Sequence, residues 1–261
     1  MTDFIDTSAP PDHAVKKAAF GPKLLLSENH HLCAGCGHPV AVRIILEVLE
    51  ELQLKERTIG VFGHGCSGTF NTTADVDVTI ALHGRAPACA TGIKRMRPDT
   101  VVFTMQGDGD MVSEGLAEIM HTAARGERLT CFLLNNGVFG DTGGQMTATS
   151  VLGQRTKTTI AGRDAAQHGY PIRIADVLAT FPGVSFVARA SVYNAAGVFL
   201  AKKFVRRGLE HQLEGRGLSL VEILTMCPTG WFVPTNAGPG YLQDTLARDY
   251  GLGILKDSST G

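Results

Sequence analysis

Two polar motifs in this sequence have the residue types and the positions that a metal–phosphate site requires. The motif GDGD (residues 107–110) follows the apolar run 100–105, and an Asn-Asn pair (135–136) follows the apolar run 129–134. If both runs are parallel strands, their carboxyl ends meet at one edge of a sheet, where ligands bind in such folds. Carboxylate and amide oxygens suit Mg²⁺, which commonly takes further oxygens from a phosphate. Asp108 and Asn136 are therefore candidate metal ligands.

Backbone groups around Asp108 provide a second reason to expect a phosphate there. Gly107 and Gly109 let the chain approach a ligand closely, and a helix predicted to start near Ser113 would present its positive end. Asp110 completes the motif as a candidate cofactor-binding residue. A GDG segment alone is equally compatible with a plain turn, so the interpretation depends on its combination with the Asn pair.

Four of the six cysteines suit a shared metal centre. Cys33 and Cys36 form a Cys-x-x-Cys pair, Cys66 lies beside Ser67 in GHGCSG, and Cys227 precedes a proline. A Cys-x-x-Cys pair brings two thiolates to one centre, and Cys-Pro is familiar in iron–sulfur sites. Four sulfurs from three segments favour one [4Fe–4S] cluster. Structural zinc and a thioredoxin-like redox pair are weaker alternatives, because two of the cysteines stand singly and no strand precedes Cys33.

The remaining cysteines and the nearby histidines have simpler interpretations. Cys89 lies among small residues and Cys131 lies inside an apolar run, so both are predicted to be core residues. His31, His38 and His64 flank the cysteines. Since four thiolates already complete a cluster, we expect these histidines to support the site rather than to bind the metal.

The elements that must position these motifs alternate along the chain. Short apolar runs predict buried strands, and longer stretches with helical periodicity lie before and between them. The alternation indicates an α/β fold with an open, mostly parallel sheet and helices on both faces. The predicted strands are 59–62, 100–105, 129–134, 184–188 and 218–225, and the predicted helices are 39–54, 85–96, 113–125, 174–180 and 192–207.

Domain organisation is expected to be simple. Residues 1–22 read as an extended N-terminal arm and residues 23–261 as one domain. The segment 135–171 is rich in Gly, Thr, Gln and Asn without clear periodicity, and ordered loops of this length are usually functional.

Composition excludes several classes of protein. The chain has 24 basic and 25 acidic residues, so its net charge of −1 gives no basic surface for nucleic acid or an anionic membrane. It has no apolar run long enough to insert into a membrane and no secretory leader pattern. We therefore expect a cytoplasmic protein with reduced cysteines. Its 31 glycines in 261 residues exceed the usual share of roughly 7%.

The two motif sets together resemble one family. GDG followed by NN looks like the diphosphate-binding motif of thiamine-diphosphate enzymes. The continuation NNGVFGDTGGQ, with CAGCGH, HGCSG and CPTGW, more narrowly resembles the thiamine-binding (beta) subunit of the 2-oxoacid:ferredoxin oxidoreductases. The resemblance covers roughly residues 30 to 235 and implies a thiamine-diphosphate-binding fold.

The resemblance also implies cofactors and residue roles. Mg²⁺ would be held by the side chains of Asp108 and Asn136 and by the backbone carbonyl of Val138, and the [4Fe–4S] cluster by Cys33, Cys36, Cys66 and Cys227. The HGRA segment would bring His83 and Arg85 towards the diphosphate, although Arg85 could equally cap the start of a helix. Residues expected along thiamine diphosphate are Thr142, Gly143, Gly144 and Gln145.

The reaction implied by the resemblance converts a 2-oxoacid and coenzyme A to acyl-CoA and CO₂, with electrons passing through the cluster to ferredoxin. The glutamate that activates the aminopyrimidine would come from a pyrimidine-domain (alpha) subunit of a hetero-oligomer, so no catalytic residue is expected in this chain and it should be inactive alone. A non-redox thiamine-diphosphate lyase or synthase subunit would not need the cysteines. A structural zinc protein would not need GDG and NN.

Two departures from the family pattern concern the substrate. The family often has Tyr and then Met or Asn where this chain has Phe139 and Asp141. A carboxylate at 141 near an anionic diphosphate is unfavourable unless it is paired, for example with a partner subunit. The segments LGQRTKTT and GYPIR are most similar to the 2-oxoisovalerate-type members, and an aryl glyoxylate would also fit.

Overall fold

A computed structural model describes residues 21–27 and 30–258 of the chain. Most of the arm predicted at residues 1–22 lies outside the described residues. The strands are β1 (Thr58–Phe62), β2 (Asp77–Ile80), β3 (Val101–Gly107), β4 (Thr130–Asn135), β5 (Val138–Phe139), β6 (Gln145–Met146), β7 (Val184–Ser191), β8 (Leu218–Leu224) and β9 (Gly253–Asp257).

Helices connect most of the strands. They are α1 (His38–Glu51), α2 (Ala86–Met96), α3 (Leu116–Ala124), α4 (Ala165–His168), α5 (Ile174–Ala179), α6 (Ala195–Leu213), α7 (Pro228–Trp231), α8 (Gly238–Leu242) and α9 (Arg248–Tyr250). Two π-helical segments occur at Gly109–Glu114 and Gln243–Ala247, and 3₁₀ turns at Lys55–Arg57, Gly68–Thr72 and Thr235–Ala237.

The main sheet has seven strands in the order β2-β1-β3-β4-β8-β7-β9. Its pairings are parallel except that β9 pairs antiparallel with β7. The predicted open, mostly parallel sheet is confirmed. Because neighbouring strands run in the same direction, β1, β3, β4 and β8 end at one edge, and the loops that follow them meet there.

Two apolar layers hold the helices on opposite faces of the sheet. Successive strand residues point to opposite faces, so Phe132 and Leu134 of β4 pack into the layer with α1 and α6. Cys131 and Leu133 of the same strand pack into the layer with α2, α3 and α5. The strand is buried on both sides, which explains why its sequence is continuously apolar.

Two strands and one helix start differ from expectation. β2 and β9 lie at the edges of the sheet and are largely exposed or half-buried, so neither has the apolar run by which the buried strands were predicted. The helix predicted to start near Ser113 is preceded by a π-helical segment that begins immediately after Asp108, and α3 starts only after Gly115. Helical backbone therefore begins closer to the GDGD motif than predicted.

Among the described residues, no helix combines the length and the apolar character needed to cross a membrane.

Candidate functional site

A cavity of about 410 Å³ opens at the edge of the sheet where β1, β3 and β4 end. This volume lies within the range of about 300–1,000 Å³ that is typical of small-molecule sites. Its wall is formed mainly by the segments 64–67, 107–110 and 136–146. Of the residues singled out from the sequence, it includes Ser67, His83, Gly107, Asp108, Gly109, Asp110, Asn136, Val138, Thr142 and Gln145.

Asp108 is the most constrained carboxylate of this cavity. It is 1% exposed. Its Oδ1 accepts a hydrogen bond from the backbone N–H of Asn136 (3.2 Å), and its Oδ2 accepts from the hydroxyls of Thr147 (2.7 Å) and Thr149 (2.6 Å). Burial raises the pKa of Asp108 to about 6, although these donors lower it. The ionised carboxylate is thus costly by itself and would be stabilised by a cation.

Asn136 and Val138 lie opposite Asp108 in a tight loop. The Asn136 Oδ1 accepts the N–H of Val138 (3.0 Å), and the Asn136 carbonyl accepts the indole N–H of Trp231 (2.8 Å). Both Asn136 and Val138 are buried and line the cavity. The structure therefore brings together the three residues expected to provide oxygen ligands.

A chain of buried polar contacts runs from Asp108 into the sheet. Thr149 Oγ1, besides contacting Asp108, lies 3.3 Å from Asn135 Oδ1. Asn135 Nδ2 donates to Glu222 Oε1 (2.7 Å), and Arg189 Nε donates to Glu222 Oε2 (2.6 Å). Glu222 and Arg189 are each 1% exposed and form a buried ion pair. These polar contacts fix the loop after β4 relative to strands β7 and β8.

Of these supporting residues, only Asn135 was identified from the sequence, as part of the Asn-Asn pair; Thr149, Glu222 and Arg189 were not. The available signal was a single charged residue inside each of two apolar strands, VARAS for Arg189 and LVEIL for Glu222. A charge at such a position is rarely left unpaired. The signal shows that a partner exists without identifying it, because Arg189 and Glu222 are far apart in the sequence.

Asp110 lines the cavity, but its carboxylate oxygens accept hydrogen bonds from three other segments of the chain. Its Oδ1 accepts the backbone N–H groups of Gly84 (2.9 Å) and His64 (3.4 Å), and its Oδ2 accepts from the Gln106 amide. A side chain at Gly63 would lie 2.0 Å from Asp110 Oδ2, so this contact requires glycine at position 63.

Two histidines beside Asp110 line the same cavity. The rings of His64 and His83 stack with centroids 4.4 Å apart, and His83 Nδ1 lies 3.0 Å from Glu114 Oε2. Arg85, by contrast, pairs with Glu118 (2.9 Å) and donates to the Glu114 carbonyl. It does not line the cavity, and it occupies the N-cap position of α2 without a side-chain capping hydrogen bond.

The loop 139–145 is shaped by glycines. Gly143 (φ +113°) and Gly144 (φ +90°) have backbone conformations that other residues rarely adopt, and neither lines the cavity. Their turn lets Thr142 Oγ1 donate to Gln145 Oε1 (2.8 Å) while both side chains remain on the cavity wall. Phe139 packs against Gly109, where a side chain would lie 2.4 Å from the ring.

Four cysteines converge on a second, smaller cavity next to the first. Cys33, Cys36, Cys66 and Cys227 all line it, although they come from three distant segments. The turn that carries Cys36 is held against the segment that carries Cys227, because the Gly37 N–H donates to the Met226 carbonyl (2.9 Å). A side chain at Gly37 would lie 2.5 Å from the Met226 nitrogen and would prevent this approach.

The other two cysteines lie outside this cavity. Cys131 is buried in β4, as predicted. Cys89 is exposed on α2, so the prediction that it is a core residue is wrong. Small neighbours in a helix indicate close packing on one face only, and Cys89 occupies the other face.

The spacing of the four sulfurs argues against a zinc site. Zn–S bonds of about 2.3 Å in a tetrahedron place sulfurs about 3.8 Å apart. In the described part of the chain, the only group of three metal-ligating side chains within 4.8 Å of one another is His83, Asp110 and Glu114. The cysteines surround a common space without meeting at one point. This arrangement suits a cluster in which each thiolate binds a different iron.

Burial raises the pKa of Cys36, Cys66 and Cys227 to about 12 each. Without a metal these thiols are therefore protonated at neutral pH. Metal binding would release the protons, because thiolates are the ligands.

A thin wall separates the two cavities. Four residues line both of them: His38, Cys66, Asn136 and Gly140. A side chain at Gly140 would lie 3.2 Å from Cys227 Sγ and 3.7 Å from Cys66 Sγ, so the backbone there passes directly beside two of the sulfurs. His38 is 2% exposed, and burial lowers its pKa to about 4.

Comparison with known proteins identifies the domain. Residues 63–223 match the family of thiamine pyrophosphate enzymes, C-terminal TPP binding domain. A solved structure, the 2-oxoglutarate:ferredoxin oxidoreductase from Magnetococcus marinus, superimposes with a TM-score of 0.71 and 26% sequence identity. The match covers 93% of this chain and 86% of that one.

Curated relatives agree with this match. The chain is 36% identical over 230 residues to the ketoisovalerate oxidoreductase subunit VorA of Methanothermobacter marburgensis, which covers 88% of this chain and 48% of that protein. It is 34% identical over 197 residues to the 2-oxoglutarate synthase subunit KorB of Archaeoglobus fulgidus, which covers 76% and 69%. The chain spans about half the length of its VorA relatives. It belongs to the family of thiamine-diphosphate-binding subunits of the 2-oxoacid:ferredoxin oxidoreductases.

Proposed function

We propose that this chain is the subunit of a CoA-dependent 2-oxoacid:ferredoxin oxidoreductase that binds Mg²⁺–thiamine diphosphate and one [4Fe–4S] cluster. The observation that carries the proposal is the shared wall between two cavities. One cavity holds the oxygen ligands Asp108 and Asn136, and the other is surrounded by four cysteines. A non-redox thiamine enzyme needs only the first cavity, and a structural zinc protein needs only the second.

The residues of the larger cavity fit Mg²⁺ and a diphosphate. Asp108 and Asn136, with the carbonyl of Val138, provide hard oxygen ligands. Two polar atoms on the wall, Ser67 Oγ and His64 Nδ1, are buried and have no hydrogen-bond partner among the described residues. A ligand with phosphate oxygens would satisfy the Ser67 hydroxyl.

The residues of the smaller cavity fit a [4Fe–4S] cluster, with Cys33, Cys36, Cys66 and Cys227 as its ligands. When bound, thiamine diphosphate supplies the electron sink for decarboxylation of a 2-oxoacid, and the cluster accepts electrons one at a time. Asp108 and Asn136 would hold the cofactor next to the wall that includes His38 and Gly140, so this wall would separate it from the cluster.

The complete activity requires partners. A pyrimidine-domain (alpha) subunit would supply the glutamate that activates the cofactor, and coenzyme A and ferredoxin would accept the acyl group and the electrons. The site is open at the edge of the sheet, and Glu114, which is already paired with His83, is the only glutamate among the described residues that line it. The chain therefore acts within a hetero-oligomer.

For the substrate we propose a 2-oxoacid with an apolar side chain, of the 2-oxoisovalerate type. The cavity wall includes apolar side chains, Val138, Phe139 and Met146, and none of the described residues that line it is a lysine or arginine. Asp141 is exposed on the wall, with its Oδ1 3.9 Å from Cys66 Sγ. A second carboxylate on the substrate would be repelled there. The 36% identity to a ketoisovalerate oxidoreductase subunit supports the same class.

The cluster proposal predicts a selective loss of iron. We expect anaerobically purified complex to contain about four irons per copy of this chain. Cys36→Ala should lose this iron and still bind thiamine diphosphate, because Cys36 lines only the smaller cavity. Cys89→Ala is the matched control, since Cys89 is exposed on α2. Iron analysis and thiamine diphosphate titration measure both properties, and equal iron in the two variants would refute the assignment.

The metal proposal predicts a trade-off between stability and cofactor binding at Asp108. The pKa of this carboxyl is raised from 3.8 to about 6, so the unfolded chain ionises at a lower pH than the folded one. Stability contributed by the protonated form is therefore lost as pH rises through this window, up to about 3 kcal/mol. Asp108→Asn removes this loss but also removes the metal ligand.

We accordingly expect cofactor-free Asp108→Asn to gain unfolding free energy relative to wild type between pH 4 and pH 7, by up to about 3 kcal/mol. Mg²⁺-dependent thiamine diphosphate binding should be lost in the same variant. Urea unfolding at both pH values and calorimetric titration test the two effects. Asp99→Asn, in an exposed turn, is the control. Parallel pH profiles for wild type and Asp108→Asn, or retained cofactor affinity, would contradict the prediction.

The substrate proposal predicts that the intact complex prefers 2-oxoisovalerate to 2-oxoglutarate by at least about 100-fold in kcat/KM. A second carboxylate of the substrate would face the Asp141 carboxylate with no lysine or arginine among the described wall residues to pair with it, and each factor of ten needs about 1.4 kcal/mol. 2-Oxohexanoate, which resembles 2-oxoglutarate in length but lacks the second charge, separates charge from size. Equal or better activity with 2-oxoglutarate would overturn this substrate class.

A further inference from the structure

Among the described residues of the shared wall, His38 contacts a cysteine sulfur of the smaller cavity through its ring. It is the first residue of α1 and is almost completely buried. Its Nδ1 lies 3.6 Å from Cys36 Sγ, and its side chain lines both the cofactor cavity and the cysteine cavity. The four cysteines complete the proposed ligand set without His38.

The direction of this contact follows from the chemistry of the sulfur. A cysteine bound to iron is a thiolate without a proton, so its sulfur can only accept a hydrogen bond. The hydrogen must then be on Nδ1 of His38. The backbone fixes this geometry, because Gly37, the residue between the cysteine and the histidine, is held to the Met226 carbonyl at 2.9 Å.

A hydrogen bond to a cluster sulfur stabilises negative charge on the cluster. Reduction by one electron increases that charge, so the reduced state gains more from the donor than the oxidised state does. The low polarity around the buried His38 ring strengthens this stabilisation of the reduced state. The Asp141 carboxylate, 3.9 Å from Cys66 Sγ, has the opposite effect, because its negative charge disfavours the reduced cluster. A hydrogen-bond donor at His38 is therefore more important for a cluster that must accept electrons from the adjacent cavity.

We propose that His38 is a positioning residue that donates a hydrogen bond from Nδ1 to Cys36 Sγ and thereby raises the reduction potential of the cluster. This inference rests on the proposed function, because it requires the [4Fe–4S] cluster. His38, the histidine of the CAGCGH segment, thereby keeps the cluster reducible by the cofactor in the adjacent cavity.

Three variants of the anaerobically purified complex test the proposal by redox potentiometry monitored by electron paramagnetic resonance. His38→Leu removes the donor with little change of volume. His38→Asn keeps an amide N–H near the position of Nδ1. His31→Leu is the matched control, since His31 is also two residues from a cluster cysteine but is exposed and lines neither cavity.

We expect His38→Leu to lower the midpoint potential. A roughly tenfold change in the ratio of reduced to oxidised cluster corresponds to a shift of about 59 mV for a one-electron couple. His38→Asn should restore most of the potential, and His31→Leu should leave it unchanged. A His38→Leu variant with intact cluster and wild-type potential would overturn the proposal while the proposed function stands. Wild-type complex without iron would instead refute the proposed function.

A second measurement applies if His38→Leu does not assemble the cluster. Complex labelled with ¹⁵N-histidine should show a hyperfine coupling between a histidine nitrogen and the spin of the reduced cluster. The coupling should disappear in His38→Asn and persist in His31→Leu. Absence of the coupling in wild type, or its persistence in His38→Asn, would contradict the hydrogen bond.

Discussion

The buried carboxylate of Asp108 is the constraint around which the rest of the site is arranged. Burial raises its pKa to about 6, and two threonine hydroxyls and one backbone N–H offset the cost of its charge only in part. Thr149 extends the contact to Asn135, which is held in turn by the buried pair of Glu222 and Arg189. Four strands and the loop 147–150 are thus fixed relative to one carboxylate, and a bound cation would remove the remaining cost of its charge.

The same edge of the sheet explains why the two cavities adjoin. β1 ends just before the segment that carries Cys66, β4 ends at the Asn pair, and β8 ends just before Cys227. Because these strands are parallel, all three segments lie at one edge of the sheet. The turn from Cys33 to Cys36 is held at the same edge by the hydrogen bond from the Gly37 N–H to the Met226 carbonyl. The wall between the cavities consists of residues that line both of them, among them Gly140 and His38. The proposed oxygen and sulfur ligands are therefore neighbours although they are scattered along the sequence.

The sequence was sufficient to predict the parts of the structure that depend on local patterns. Strands buried on both faces have apolar runs, and Asp108, Asn136 and the four cysteines stand in short motifs, so each could be found before the structure was known. Edge strands β2 and β9 were missed because they bury little apolar surface. Thr149, Glu222 and Arg189 were missed because a buried polar residue is defined by its partner, which comes from a distant segment. Cys89 was misassigned because helical packing of small residues does not show which face a given residue occupies.

Reduction of the proposed cluster by a 2-oxoacid tests most directly whether the two cavities work as one site. The intact complex, loaded anaerobically with Mg²⁺ and thiamine diphosphate, is mixed with 2-oxoisovalerate in the absence of coenzyme A and of any external acceptor. The expected result is bleaching of the iron–sulfur absorbance and the paramagnetic resonance signal of a reduced cluster, both dependent on thiamine diphosphate. A cluster that dithionite reduces but that neither 2-oxoisovalerate nor any other 2-oxoacid reduces would contradict the coupling of the two cavities.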